Sequence, residues 1–137
     1  MLQPRRSKYR KQMRGTMKGN ATRGTKLSFG EFGLQSFEIG WISSKQIEAA
    51  RRAITNFTKR GGRVFIRIFP DKPISKKPPE VRMGGGKGDI EMYVARVKPG
   101  TMLFEMSGIT KNIASDALRL ARYKLPVKSK IIIKGEI

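Results

Sequence analysis

The chain has 137 residues, of which 30 are Lys or Arg and 10 are Asp or Glu, so its formal net charge is +20. A protein with this excess of positive charge is expected to bind a polyanion, above all a nucleic acid. It contains no His and no Cys, which excludes the usual neutral-pH base, a thiolate nucleophile, the standard zinc ligands and any disulfide. No apolar run approaches the ~20 residues of a membrane helix, and the polar start lacks the apolar region of a signal peptide, so we expect a cytoplasmic or organellar-matrix protein of one domain.

The first 26 residues form a separate basic segment without a single acidic residue. Their apolar residues are too sparse for an independent core, so we predict an arm that is disordered or loosely attached in the free protein and orders along a phosphate backbone. A merely solubilising tail is the alternative. The basic residues of this arm are Arg5, Arg6, Lys8, Arg10, Lys11, Arg14, Lys18, Arg23 and Lys26.

Residues 27–42 combine aromatic residues with glycines. Phe29, Phe32, Phe37 and Trp41 are predicted to pack against a sheet, and the glycines between them indicate bends or bulges. Stacking of these rings on nucleic-acid bases is the alternative, which we favour less because no charged residues alternate closely with them.

A helix is predicted to begin after Ser43, which together with Gln46 three residues later forms a capping box. The glycine pair at 61–62 should end it. Its apolar face, spaced at helical intervals, consists of Ile47, Ala50, Ala53, Ile54 and Phe57.

Arg51 and Arg52 lie on this helix outside its apolar face. They are either part of a solvated basic surface or phosphate ligands, and the sequence pattern alone favours neither reading. We therefore treat this pair as a candidate RNA-facing site.

The rest of the chain alternates between strand and helix patterns without strict strand–helix repeats. Strands are predicted at 63–69, 90–97, 101–106 and 127–133, a helix at 110–124 and a turn at 98–100. This order favours an α+β sandwich in which helices pack on a mostly antiparallel sheet. We expect residues 27–137 to form one domain, with the basic N-terminal arm extended and a Pro/Gly-rich loop protruding.

That loop, residues 76–88, has two prolines before it becomes rich in glycine. It fails the phosphate-binding P-loop pattern, because Gly88 follows Lys87 where Ser or Thr is required and Val81 stands where the first glycine is required. A triple glycine lets the backbone approach another surface closely, so we favour a loop that reaches a nucleic acid over an idle hairpin tip. Its candidate residues are Lys76, Lys77, Arg82, Met83, Gly84, Gly85, Gly86 and Lys87.

Several separated motifs resemble the large-subunit ribosomal protein family L-sixteen over essentially the whole chain. They are MLQPRRSKYRK at the start, SFGEFGLQ at 28–35, QIEAARRA at 46–53, IRIFPDKPI at 66–74, RMGGGKG at 82–88 and KLP at 124–126. Gly85 stands at the variable position of the family's loop signature, where Lys or Arg is also common, so one charge is missing there.

The resemblance implies an α+β fold and a structural, non-enzymatic role without a cofactor or a metal. It implies that the arm binds large-subunit ribosomal RNA of the 23S type and that the loop points toward the peptidyl transferase region. The expected partners are A-site transfer RNA, P-site transfer RNA as an additional candidate, and neighbouring ribosomal proteins, with no membrane and no small-molecule substrate. The expected location is a cytoplasmic ribosome, with an organellar ribosome as the alternative.

Three other classes compete with this interpretation. A free-standing DNA-binding or nucleoid protein fits the charge but has no recognisable helix-turn-helix, zinc finger or dimer seam. An RNA-modifying enzyme would need a cofactor loop or an acid–base pair, and the carboxylates are scattered. A cationic membrane-surface protein would need an amphipathic helix with bulky apolar anchors.

Overall fold

Seven strands and two helices form the described part of the chain, which in this computed structural model comprises residues 2–4, 19–21, 24–75 and 90–135, with only the backbone at 75, 90 and 91. In chain order they are β1 (Phe32–Ser36), β2 (Gly40–Ser43), α1 (Ser44–Thr58), β3 (Arg63–Ile66), β4 (Lys72–Ser75), β5 (Ile90–Val97), β6 (Met102–Ser107), α2 (Lys111–Arg122) and β7 (Ser129–Ile133). The α+β class predicted from the sequence is confirmed. The predicted loop lies outside the described residues, and the domain boundary after residue 26 stays a prediction.

The strands form two antiparallel sheets rather than one. Sheet A has the order β3-β6-β1-β7 and sheet B the order β2-β5-β4. The predicted turn after β5 exists, since the amide of Thr101 donates to the carbonyl of Lys98 (3.1 Å). The turn does not close a hairpin, because Gly100 and Thr101 bond to the backbone of Ser36 at the end of β1 (2.7 and 2.9 Å). The strand that follows therefore pairs with β1 in sheet A and not with β5.

One face of sheet A packs against the helices and forms the core. Leu34 of β1 and Phe104 of β6 are paired in register and fully buried, together with Ile54 of α1 and Leu118 of α2. We call the opposite side of this sheet the outer face. Successive side chains along a strand point to opposite faces of the sheet. Gly33, the residue before Leu34, and its register partner Glu105 of β6 therefore lie on the outer face, as does Phe65 of β3, which also pairs with Glu105.

Helix α1 begins as the sequence predicts. The Ser43 hydroxyl accepts a hydrogen bond from the Gln46 amide (3.2 Å), and the Gln46 side chain accepts one from the Ser43 amide (2.9 Å), which completes the capping box. The helix ends at Thr58, three residues before the predicted glycine stop. Lys59 takes the left-handed conformation at its C-cap (φ 51°), a position usually filled by glycine.

The aromatic residues of segment 27–42 have different environments. Phe32 is buried in the core as predicted, whereas Phe29 and Phe37 are 61% and 50% exposed, so the core prediction is wrong for those two rings. The sequence also missed β1, β2 and β4. β4 contains Pro73, which a sheet tolerates here because β4 is an edge strand.

Candidate nucleic-acid interface

The residues that follow the predicted arm cross the outer face of sheet A. The amide of Met102 donates to the carbonyl of Gly24 (2.7 Å), and the side chain of Gln35 donates to the carbonyl of Thr25 (3.0 Å). This part of the backbone, residues 24–31, is therefore bound to the sheet. We call it the crossing segment; it includes Lys26, the one predicted arm cation in the described ranges, whose side chain is exposed.

A buried carboxylate holds the crossing segment in place. Glu105 is 0% exposed, and its Oε1 accepts hydrogen bonds from the amides of Ser28, Phe29 and Gly30 at 2.8, 2.9 and 3.0 Å. Its Oε2 forms an ion pair with Arg67 Nη1. Burying a carboxylate costs several kcal/mol unless it is paired and hydrogen-bonded, and four donors meet that condition here.

These contacts decide the protonation of Glu105. Burial works to raise the pKa of its carboxyl, but the bonds from Arg67 and from the amides of Gly30, Phe29 and Ser28 outweigh burial, so the pKa is lowered. Glu105 is therefore ionised at neutral pH. It was not a predicted site residue; the available signal was a lone Glu inside the apolar run of β6.

An aromatic stack of one exposed ring, Phe29, and one half-buried ring, Phe65, lies beside this anchor. The rings of Phe29 and Phe65 are stacked with centroids 5.4 Å apart and planes inclined by 27°, and the Arg67 guanidinium lies 5.2 Å from the centre of the Phe29 ring. Arg63, on the same face of β3 two residues before Phe65, is exposed. The outer face thus combines aromatic rings with cations, the combination that single-stranded nucleic acids bind.

The predicted basic pair of α1 is engaged by one acidic residue. Glu48 Oε1 lies 2.5 Å from Arg51 Nη2 and 3.2 Å from Arg52 Nε, and the two arginine side chains are 37% and 70% exposed. The hydrogen bond from Arg51 is the largest cause that lowers the pKa of Glu48 to about 2, and Arg52 contributes as well. Both arginines remain accessible, but Glu48 cancels one of their two charges.

The other predicted site residues lie outside the described ranges: Arg5 to Lys18 and Arg23 in the arm, and Lys76 to Lys87 in the loop. Among the residues that are described, no three His, Cys, Asp or Glu side chains lie close enough to hold a metal ion. In the same part of the chain, no helix is long and apolar enough to cross a membrane.

The amino-acid sequence of the chain matches a known protein family. The family model described as Ribosomal protein L16p/L10e matches residues 4–132, which is nearly the whole chain and includes the crossing segment, both sheets and both helices. Members of this family are structural proteins of the large ribosomal subunit and not enzymes. The chain therefore belongs to the ribosomal protein L16p/L10e family.

Proposed function

We propose that this protein binds large-subunit ribosomal RNA and contacts A-site transfer RNA, with the P-site transfer RNA as an additional partner, near the peptidyl transferase region of a cytoplasmic ribosome. The observation that supports the proposal is a net charge of +20 on a member of a ribosomal family. Phosphate groups of folded RNA balance such a charge and release counterions when they are bound. Exposed cations of the described part lie on both helices and on sheet A, for example Lys45, Arg119 and Lys130.

Two segments divide the RNA contacts in this proposal. Residues 1–26 act as an arm along ribosomal RNA, attached to the domain of residues 27–137. The loop with Arg82, Met83 and Lys87 reaches toward bound transfer RNA, and Arg51 and Arg52 provide a third contact from α1. Neighbouring ribosomal proteins complete the surroundings.

A filter-binding titration of the purified protein with large-subunit ribosomal RNA tests the first contact. We expect the affinity to fall steeply with salt, with a log–log slope of several units in magnitude. Replacing the arm cations from Arg5 to Lys18 by Gln should reduce both affinity and slope while the melting transition is kept. This variant is better than deleting residues 1–26, because Gly24 and Thr25 bond to sheet A. A salt slope near zero for the unaltered protein contradicts the proposal.

The loop is tested in large subunits reconstituted with variants of this protein. Arg82→Gln combined with Lys87→Gln should weaken A-site transfer RNA binding and leave incorporation into the subunit intact. The matched control removes the same charge elsewhere on the surface through Lys45→Gln on α1 and Lys124→Gln just after α2, two exposed lysines. Equal loss of transfer RNA binding in both variants would reject a specific role of the loop.

A further inference from the structure

Phe29 is an aromatic side chain that the fold keeps on the surface. It is 61% exposed, although a chain of this composition has buried positions for aromatic rings, as Phe104 and Phe32 show. Phe65 of β3 stacks on the Phe29 ring, and the guanidinium of Arg67, which follows β3, also lies over the ring. At 61% exposure, much of the Phe29 side chain stays accessible to solvent in spite of these two contacts.

The backbone under this ring is held rigidly. Glu105 binds the amides of Phe29 and of both its chain neighbours. Gly30 lies so close to β6 that a Cβ at this position would be 2.4 Å from the carbonyl oxygen of Met106. The conformational entropy of ordering Phe29 is therefore lost on folding and not on binding, which is the property of a preorganised contact.

The charges around Phe29 favour a nucleic acid over an apolar protein segment as its partner. Lys26 and Arg63 are both exposed. The carbonyl of Lys26 accepts a hydrogen bond from Arg67 Nη1 (3.2 Å), and Arg63 lies two residues before Phe65 on β3. Glu31 is an exposed acidic residue two positions after Phe29, whereas Glu105, which binds the Phe29 amide, is buried and paired with Arg67. A ring with flanking cations accepts a base on its face and the adjoining phosphates on the cations.

We propose that Phe29, supported by Phe65 and Arg67, is a stacking platform for one unpaired base of RNA. This inference rests on the proposed RNA binding and adds to it a contact that reads an unpaired base rather than charge alone. The platform is tolerant of base identity, because every base has a π-face. Phe29, Phe65 and Arg67 all belong, in sequence, to the proposed domain of residues 27–137 and not to the predicted arm or loop.

An NMR titration of the full chain tests for the stacked base. The probes are a short oligoadenylate and an abasic oligonucleotide of the same length and charge. We expect the ring resonances of Phe29 and Phe65 to shift with oligoadenylate and to stay in place with the abasic strand. Equal shifts with both probes, or no shifts with either, would overturn the platform.

Substitution of Phe29 supplies an independent measurement. Phe29→Ala should weaken oligoadenylate binding roughly 5- to 150-fold without changing the salt slope, since a stacking contact and no cation is lost. Phe29→Trp should retain binding. The matched control is Phe37→Ala, which removes another exposed ring, 50% accessible, outside the stack and should leave binding unchanged. Each variant is first checked for an unaltered melting transition; if Phe29→Ala fails this check, Phe29→Leu replaces it.

The outcomes separate this inference from the proposed function. If the unaltered protein does not bind large-subunit ribosomal RNA at all, the proposed function fails and the platform fails with it. If the protein binds this RNA with a steep salt slope but Phe29→Ala binds oligoadenylate as well as Phe37→Ala does, only the platform is wrong.

Discussion

Two arginine–carboxylate clusters in the described part of the chain differ chiefly in burial. On the outer face of sheet A, Glu105 is fully buried between Arg67 and three backbone amides. On helix α1, Glu48 is 22% exposed and bonds to Arg51 and Arg52, its neighbours at i+3 and i+4. In both clusters the pKa of the carboxyl is lowered, so both carboxylates are ionised at neutral pH.

The two clusters nevertheless have different effects on the protein. A buried carboxylate that loses its charge leaves several donors without a partner, so Glu105 fixes the position of the crossing segment. An exposed pair on a helix adds little stability, because water solvates the separated charges almost as well. Its main effect is to reduce the positive charge that α1 offers to RNA.

Removing the buried carboxylate should have the largest effect. Glu105→Ala removes the ion-pair partner of Arg67 and leaves three amides unsatisfied, so it should lower the free energy of unfolding by about 3–5 kcal/mol. Glu48→Ala is the matched control and should cost about 1 kcal/mol or less. Urea unfolding of both variants measures the difference. Equal losses would mean that burial does not distinguish the clusters.

The second prediction concerns pH. The lowered pKa of Glu105 means that the unfolded chain takes up the proton at a higher pH than the folded chain does. The stability that Glu105 contributes is therefore complete above the unfolded pKa of about 4.3 and is lost as the pH falls through the folded pKa. The stability advantage of the unaltered protein over Glu105→Gln should accordingly be constant from about pH 7 to about pH 5 and narrow below that, so that it is smaller at about pH 3. Because Glu48 titrates in both proteins, its contribution cancels; an advantage that stays constant would refute the assignment.

A smaller effect is expected from the glycines that let the crossing segment approach sheet A. In Gly30→Ala the new methyl group meets the backbone carbonyl of Met106, which cannot move aside, so we expect a loss of about 1–3 kcal/mol. In Gly33→Ala it chiefly meets the ends of the Leu27 and Met102 side chains, which can rotate, so the loss should be nearer 1 kcal/mol. Thermal denaturation ranks the two variants, and the reverse order would show that the segment is not tightly docked.

Local patterns explain how much of the fold could be predicted. Helix α1 was predictable because its capping box and its apolar spacing lie within the helix itself. Strand β1 was not, because Gly33 lowers its strand propensity and the reason for that glycine is the packing of Leu27 and Met102 over it. The division into two sheets depends on bonds between the 98–101 turn and Ser36, which no local pattern contains.

The candidate site was predictable only where charge identifies it. Arg51 and Arg52 were selected for their charge, and the structure places both at the surface, but Glu48 as their shared partner was not anticipated. Glu105 was missed for a different reason. An isolated Glu in a strand normally points to solvent, and the donors that keep this one buried lie as many as 77 positions away in the chain.

The weakest expected effect tests whether the exposed cluster faces RNA. Because the pKa of Glu48 is lowered to about 2, mild acidification leaves its carboxylate ionised and paired with Arg51 and Arg52, so a substitution is required. Glu48→Gln keeps the shape of the side chain and removes its charge. If the arginines lie near phosphates, affinity for large-subunit ribosomal RNA should rise roughly two- to fivefold, the effect of a change of about 1 kcal/mol or less in water.

The control for this gain is Asp116→Asn on α2. Asp116 pairs with Arg119 three residues later, and both side chains are about half exposed, so the variant changes the net charge by the same unit at another surface. A larger increase for Glu48→Gln than for Asp116→Asn, measured by filter binding at one salt concentration, would assign RNA contact to the α1 arginines. Equal increases would mean that RNA senses only the total charge, because a uniform electrostatic attraction does not depend on where the carboxylate was removed.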